Sequence, residues 1–182
     1  LLKVAANPNA KRLARVHALW GLGQLEDDSQ WNKRLARRLP FTDSDFEIRA
    51  QAAKLAGTRK VKSCAAKLAG LLHDENARVQ FHAAMALGQA GDSSTVPGLI
   101  ALLERNDDRD AYLHHAAIMG LAGSARPAKL SAQHKHKSAA VRVANAAGLR
   151  RLQQPGGKCF FAGFCVRVLR EALSAVYDAD SV

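Results

Sequence analysis

The sequence predicts an all-α chain, an α-solenoid of about five to six stacked two-helix repeats. Three observations carry this reading. The segment ARVQFHAAMALGQAGD (77–92) combines Ala and Gly with a few large apolar side chains and is too rich in small residues for an ordinary core helix. The pattern recurs along the chain at intervals of about 30 residues. Apolar residues reach 48% while aromatics stay at 5%, a balance that suits helices in close contact better than sheets, which favour β-branched and aromatic side chains.

The recurring windows are ARVHALWGL (14–22), IRAQAAKLA (48–56), the stretch from Val79 to Leu87, LHHAAIMGL (113–121), VRVANAAGL (141–149) and VLREALSAV (168–176). Their starts are 34, 31, 34, 28 and 27 residues apart, room for two short helices per unit. The first position reads Ala14, Ile48, Val79, Leu113, Val141, Val168, and the last reads Leu22, Ala56, Leu87, Leu121, Leu149, Val176. Between them run small-residue columns, Ala18, Ala52, Ala83, Ala117, Asn145, Ala172 and Gly21, Leu55, Ala86, Gly120, Gly148, Ala175. Offsets of three and four trace one helical face, so the small residues mark contacts between neighbouring repeats. Second helices are therefore expected near 12–25, 46–57, 77–90, 111–123, 139–152 and 166–177 of a single 1–182 domain.

The first helices fall between these windows, at WNKRLARRL (31–39), VKSCAAKLAGLLH (61–73), VPGLIALLER (96–105) and PAKLSAQ (127–133). Pro97 is tolerable in a first turn. Gly57, Gly88 and Gly91 lie where second helices should end. FTDSD, HDEN and RNDDRD supply the turn and N-cap chemistry before the next helix. The stretch QQPGGKCFFAGFC (153–165) breaks the pattern. Trp20 is expected to pack between the first two repeats, and Trp31 to be half exposed.

Two polar columns accompany the repeat. Arg15, Arg49, Gln80, His114, Arg142 and Leu169 follow each anchor by one residue; Asn9, Asp43, Asp74, Asp108, His136 and Gly163 precede it by five. The period, the paired helices and these columns resemble HEAT-like repeats of the short bacterial, phycobilisome-lyase type. That resemblance implies that Asp43, Asp74 and Asp108 serve the turns while Arg15, Arg49 and Arg142 fork between units as a structural ladder. The complete pair is expected only at Asp43 and Arg49; a binding stripe on the inner surface is the other reading. RVHALWGLGQL (15–25) and REALSAVYDADSV (170–182) are similar, more narrowly, to the HEAT region of PVC-type membrane-bound dehydrogenase proteins. This kinship implies an accessory array from a larger periplasmic or secreted bacterial protein. A start at Leu rather than Met fits the expectation of a fragment.

Chemistry is sparse. Three cysteines, Cys64, Cys159 and Cys165, form no framework and no CxxC. Cys64 reads as a small buried hydrophobe, and a Cys159–Cys165 bridge is left open. His17 and His82 share a column two repeats apart, roughly 20 Å at 8–10 Å per helix layer, too far for one ion. His134 and His136 lack an evident third ligand, so no metal and no cofactor are expected. There is no GxSxG, P-loop or GxGxxG, and no enzyme activity is expected. The longest apolar run, CFFAGFCV, is far too short to span a bilayer.

The strongest partner signal is charge, 27 basic against 16 acidic residues, or +11. Lys33, Arg34, Arg37 and Arg38 form one cluster; Arg59, Lys60 and Lys62 follow the second repeat, and Arg126 and Lys129 the fourth. Acids concentrate in the turns within repeats, which predicts one basic and one more acidic edge. Three functions follow. The first is an interaction scaffold for a protein partner or adjacent domain. The second is nucleic-acid binding, in the manner of HEAT-like DNA glycosylases, through the basic surface. The third, a bilin lyase subunit, has little in the residues to support it.

Overall fold

The computed structural model describes residues 1–25 and 29–152. The expected second helix near 166–177, the 153–165 stretch, Cys159 and Cys165 lie outside the described residues, as does the Trp31 side chain. Among the described residues are ten α-helices and no strand: α1 (Leu2–Ala5), α2 (Arg12–Gly23), α3 (Ser29–Arg38), α4 (Phe46–Thr58), α5 (Ala65–Leu71), α6 (Ala77–Ala90), α7 (Val96–Asn106), α8 (Ala111–Ser124), α9 (Pro127–Ser131) and α10 (Ala139–Leu152). Short 3-10 turns at Lys62–Cys64 and Ser93–Thr95 lead into α5 and α7. The chain is an α-solenoid.

Side-chain caps start α4, α6 and α8. Asp45 accepts from the Glu47 N–H at 2.9 Å, Asn76 from Arg78 at 3.0 Å, and Asp110 from Tyr112 and Leu113 at 2.8 and 3.1 Å. Each satisfies amides that the first helical turn leaves without partners. Pro97 sits in the first turn of α7, and Pro127 opens α9. In both places the missing N–H costs no hydrogen bond.

Helices α2, α4, α6, α8 and α10 stack side by side as one layer, with α3, α5, α7 and α9 behind them. Consecutive second helices touch along much of their length, whereas the first helices meet one another only sparsely. A tight layer backed by a looser one bends the array toward the second helices, which therefore form its inner face. Leu35, Leu68, Leu99, Leu102 and Leu130 from the first helices fill the space against Leu19, Leu22, Ile48, Leu87 and Leu121 from the second, all at most 1% exposed. Cys64 is fully buried, and burial pushes its thiol up to about 11, so it behaves as packing.

Small residues set the inner spacing. A Cβ on Gly57 would lie 2.6 Å from the Ala86 Cα, and one on Gly88 would lie 2.6 Å from the Met119 carbonyl oxygen. A Cβ on Gly123 would run straight into the Gly88 main chain. Gly88 is thus an interior contact residue of α6, not a helix end as its position in the sequence suggested, while Gly57 makes its contact at the last residue but one of α4, where the helix was expected to end. Gly91 ends α6 at φ +68° in the left-handed region, where its N–H donates to the Leu87 carbonyl. Arg59 and Lys60 end α4, with Lys60 at φ +49°.

This packing makes a stability prediction. Gly123→Ala forces α6 and α8 apart and should cost roughly 1–3 kcal/mol or more. That corresponds to a Tm drop of about 2–4 °C per kcal/mol for a chain of this size. Gly70→Ala, in α5 with open space at its Cβ, should instead raise Tm slightly, since Ala outranks Gly in a helix by about 1 kcal/mol. Thermal melts followed by circular dichroism decide it; equal effects at the two sites would refute the contact argument.

Candidate interaction surface

The ladder residues meet between repeats. Arg15 donates to both oxygens of Asp43, one of them at 3.3 Å, and its Nε reaches the Ala5 carbonyl at 3.1 Å. Arg49 forks Asp74 at 2.7 and 2.8 Å, and its remaining nitrogen donates to the Asp43 and Ser44 carbonyls at 2.8 and 3.1 Å. The aspartates also hold their own turns, Asp43 accepting from Asp45 N–H and Asp74 from Asn76 N–H. One arginine therefore ties its own turn to the next. Arg15 and Arg49 fork between units, as the resemblance implied: each pairs with the aspartate one repeat later, because the guanidinium reaches across the stack while its own turn offers carbonyls.

The ladder stops after the third repeat. Gln80 keeps only the local half, donating to the Asp74 carbonyl at 2.6 Å. Asp108 meets His114 of its own repeat, and among the described residues no arginine pairs with it. Arg142 donates to the His136 and Lys137 carbonyls at 2.8 and 3.0 Å. The expectation that Asp108 and Arg142 belong to an inter-repeat ladder is therefore not met. Glutamine is too short and uncharged to fork a carboxylate one repeat away, and the Arg142 bonds all fall within its own turn.

A second set of rungs had no sequence signal. Lys67 donates to the Ala36 carbonyl at 2.8 Å, and Arg105 to the Leu72 carbonyl at 2.7 Å. Each cation sits at the C-terminal end of the preceding first helix, where unpaired carbonyls favour positive charge. Arg59 acts similarly on the Leu25 carbonyl and is only 8% exposed. It is removed from the candidate binding surface, because its guanidinium is committed inside the array. Lys33, Arg34, Arg37, Arg38, Lys60, Lys62, Arg126 and Lys129 are all exposed. They lie on first helices and on turns between repeats, away from the inner face.

The inner face carries the groups that can contact a partner. Trp20 is 52% exposed, correcting the expectation of a packed indole, although its N–H still bonds Gln51 Oε1 at 2.9 Å. A groove of about 400 Å³ between α6 and α8 is lined by Arg78, Phe81, His82, Tyr112 and Leu113. A second, of about 320 Å³, holds Met85, Gln89, Met119 and Arg151. Glu47 is bound by Gln51 at 2.7 Å and Arg78 at 2.8 Å. Burial raises the Glu47 pKa, but these bonds outweigh it and hold the carboxyl low. Burial, then the Arg78 and Lys54 charges, push His82 down to about 4. Among the described residues no group of three or more His, Cys, Asp or Glu side chains is placed to hold a metal, and no helix is long and apolar enough to cross a membrane.

Two predictions follow. Arg49→Met strands Asp74 with its side chain only 7% exposed, and should cost about 3 kcal/mol, while adding Asp74→Leu should recover much of that loss. Chemical denaturation of the double-mutant cycle measures it; additive losses would disprove the rung. The second concerns pH. A neutral His82 in the fold, against an ordinary histidine value of 6.5, means that the unfolded chain binds more protons between pH 6.5 and about 4. Stability is therefore lost on acidification through that window. A further loss follows below the ordinary carboxylate range as Asp74, Asp45 and Glu47, all held low, take up protons. His82→Gln should flatten the first limb of Tm against pH and leave the second.

Among curated proteins, none matches the chain. Residues 38–122 match the family model of HEAT repeats. That span runs from the end of α3 through most of α8, covering the Arg49–Asp74 rung and the Gly57 and Gly88 contacts, and over those residues the chain is similar to HEAT repeats.

Proposed function

We propose that the protein is a non-enzymatic interaction scaffold whose inner face binds a protein partner or a neighbouring domain. HEAT repeats commonly serve as such scaffolds. The observation that carries the reading is the inner face itself. It is a rigid layer of helices in main-chain contact that presents exposed Trp20 and Tyr112 beside half-buried Phe81, Met85 and Met119. Aromatic and methionine side chains are the residues that interfaces concentrate, and a preformed layer avoids the entropy cost of ordering on binding. Likeness to PVC-type dehydrogenase proteins supports an accessory role within a larger secreted bacterial protein; the coding sequence on either side of this segment tests it.

The net charge of +11 and the exposed outer cations favour a second reading, nucleic-acid binding. The two readings separate in solution. Panning a random peptide library on the immobilised chain should enrich peptides that lose binding on Trp20→Ala or Tyr112→Ala. Labelled duplex DNA should bind weakly and without site preference. If DNA instead binds tightly, with affinity falling about a thousandfold or more between 50 and 200 mM salt, and no peptide is enriched, the scaffold reading fails.

A further inference from the structure

Charge is distributed unevenly over the second helices. Glu47 is the single acidic residue in α2, α4, α6, α8 and α10 together. Its carboxylate is occupied by Gln51 and Arg78. Basic side chains on the same helices divide into two groups. Arg15 and Arg49 are consumed by the ladder, Arg12 and Arg78 pair with Asp45 and Glu47, and Arg142 is held by its own turn. Lys54, Arg150 and Arg151 are exposed and take part in no ion pair among the described residues.

Lys54 and Arg151 bracket an apolar strip. Trp20, Lys54, Met85, Met119 and Ala147 stand at 34-, 31-, 34- and 28-residue intervals, the same intervals as the repeat anchors. They therefore form one straight row across α2, α4, α6, α8 and α10. Arg151 lies one helical turn beyond Ala147. Met85 and Met119 line the groove of about 320 Å³ that Arg151 closes, and Gly88 and Gly123 line it too. Lys54 lines a smaller groove of about 220 Å³ with Trp20 and Gln51. Methionine adapts its shape to varied apolar partners.

We propose that this row binds an extended, acidic protein segment with a bulky apolar side chain between its acids. The proposal rests on the scaffold reading and names its partner's chemistry. The apolar side chain fills the Met85–Met119 groove, and carboxylates on either side meet Lys54 and Arg151. At 8–10 Å per helix spacing, α4 to α10 spans roughly 24–30 Å. An extended segment of about eight or nine residues covers that distance at about 3.3 Å each. Acids about four residues before and after the apolar side chain thus match the row. Nucleic acid fits this face poorly. Three unpaired cations, Lys54 on one side of the methionines and Arg150 and Arg151 on the other, cannot neutralise the series of phosphates that such binding draws on, and the grooves suit single side chains.

The test uses fluorescein-labelled twelve-residue peptides and the chain as it stands. One peptide carries Asp-Glu pairs flanking a central Leu-Phe; a second replaces the acids with lysines; a third keeps the acids and replaces Leu-Phe with Ser-Ser. A single-stranded DNA of twelve nucleotides is the fourth probe. Only the acidic–apolar peptide should bind saturably. Lys54→Glu and Arg151→Glu should each weaken it about fivefold to tenfold, and the double reversal should gain affinity for the lysine peptide. Both positions are exposed, and an unchanged Tm confirms that the variants fold. Lys33→Glu with Arg37→Glu, on the outer α3, should leave binding unchanged. Equal binding by the Ser-Ser peptide, or sensitivity only to the α3 variant, overturns the proposal. If library-selected peptides bind the inner face but the acidic–apolar peptide does not, this inference fails while the scaffold reading stands. If DNA alone binds, both fail.

Discussion

The array depends on main-chain contact between second helices. Gly88 and Gly123 leave no room for a Cβ, and Gly57 meets the Ala86 Cα. Packed helices lie 8–10 Å apart depending on the side chains between them, and main chains come into contact only where the chain offers Gly and Ala. Once they do, other features follow. The inner layer is shorter than the outer, so the stack curves. Arg15 and Arg49 come within reach of the next aspartate. Residues at equal offsets from each anchor fall into rows, which is what turns five separate helices into one surface.

The ladder is a consequence of that spacing and a guard on it. A guanidinium in a fork with a carboxylate fixes both direction and register. Arg49 adds a tie to its own turn through the Asp43 and Ser44 carbonyls. Among the described residues no such fork exists beyond Asp74, and contact between α6 and α8 is carried by glycines and by the Ser124 hydroxyl donating to the Leu87 carbonyl at 2.9 Å. The same register is therefore held by ionic pairs at the N-terminal end and by shape in the middle. The Phe81–Tyr112 groove opens at that change-over.

The sequence made the architecture legible because a helix writes its contact face at offsets of three and four. The small-residue columns needed no knowledge of the partner helix, and the cap residues Asp45, Asn76 and Asp110 act on amides two or three positions away. What could not be read lies between repeats. Spacing placed Asp43 and Arg49 in one unit, yet the fork forms from Arg49 to Asp74, since a long side chain bonds where it reaches. Gly57 and Gly88 carried two meanings, helix end and close contact, and local sequence does not separate them. Arg59, Lys67 and Arg105 looked like any solvated cation. Their carbonyl partners belong to the preceding repeat, roughly thirty residues away, and no motif marks a carbonyl.

Net charge illustrates the same division between sum and place. A total of +11 draws the eye to the densest clusters, on the outer helices and turns. Those clusters sit in high dielectric, where screening limits each charge to short range. The inner face has few cations, but it has almost no competing acid, and its one carboxylate is already bonded. A partner's carboxylate arriving there meets no repulsion from the surface and gains a floor of methionine and glycine on which its neighbouring side chain can lie. Selectivity at such a face comes from what second helices leave out. Among the described residues the aspartates lie in the turns, where they cap helices and anchor the ladder, and only Glu47 and Glu104 stand within helices, so one arrangement of carboxylates both stabilises the stack and largely clears its inner surface.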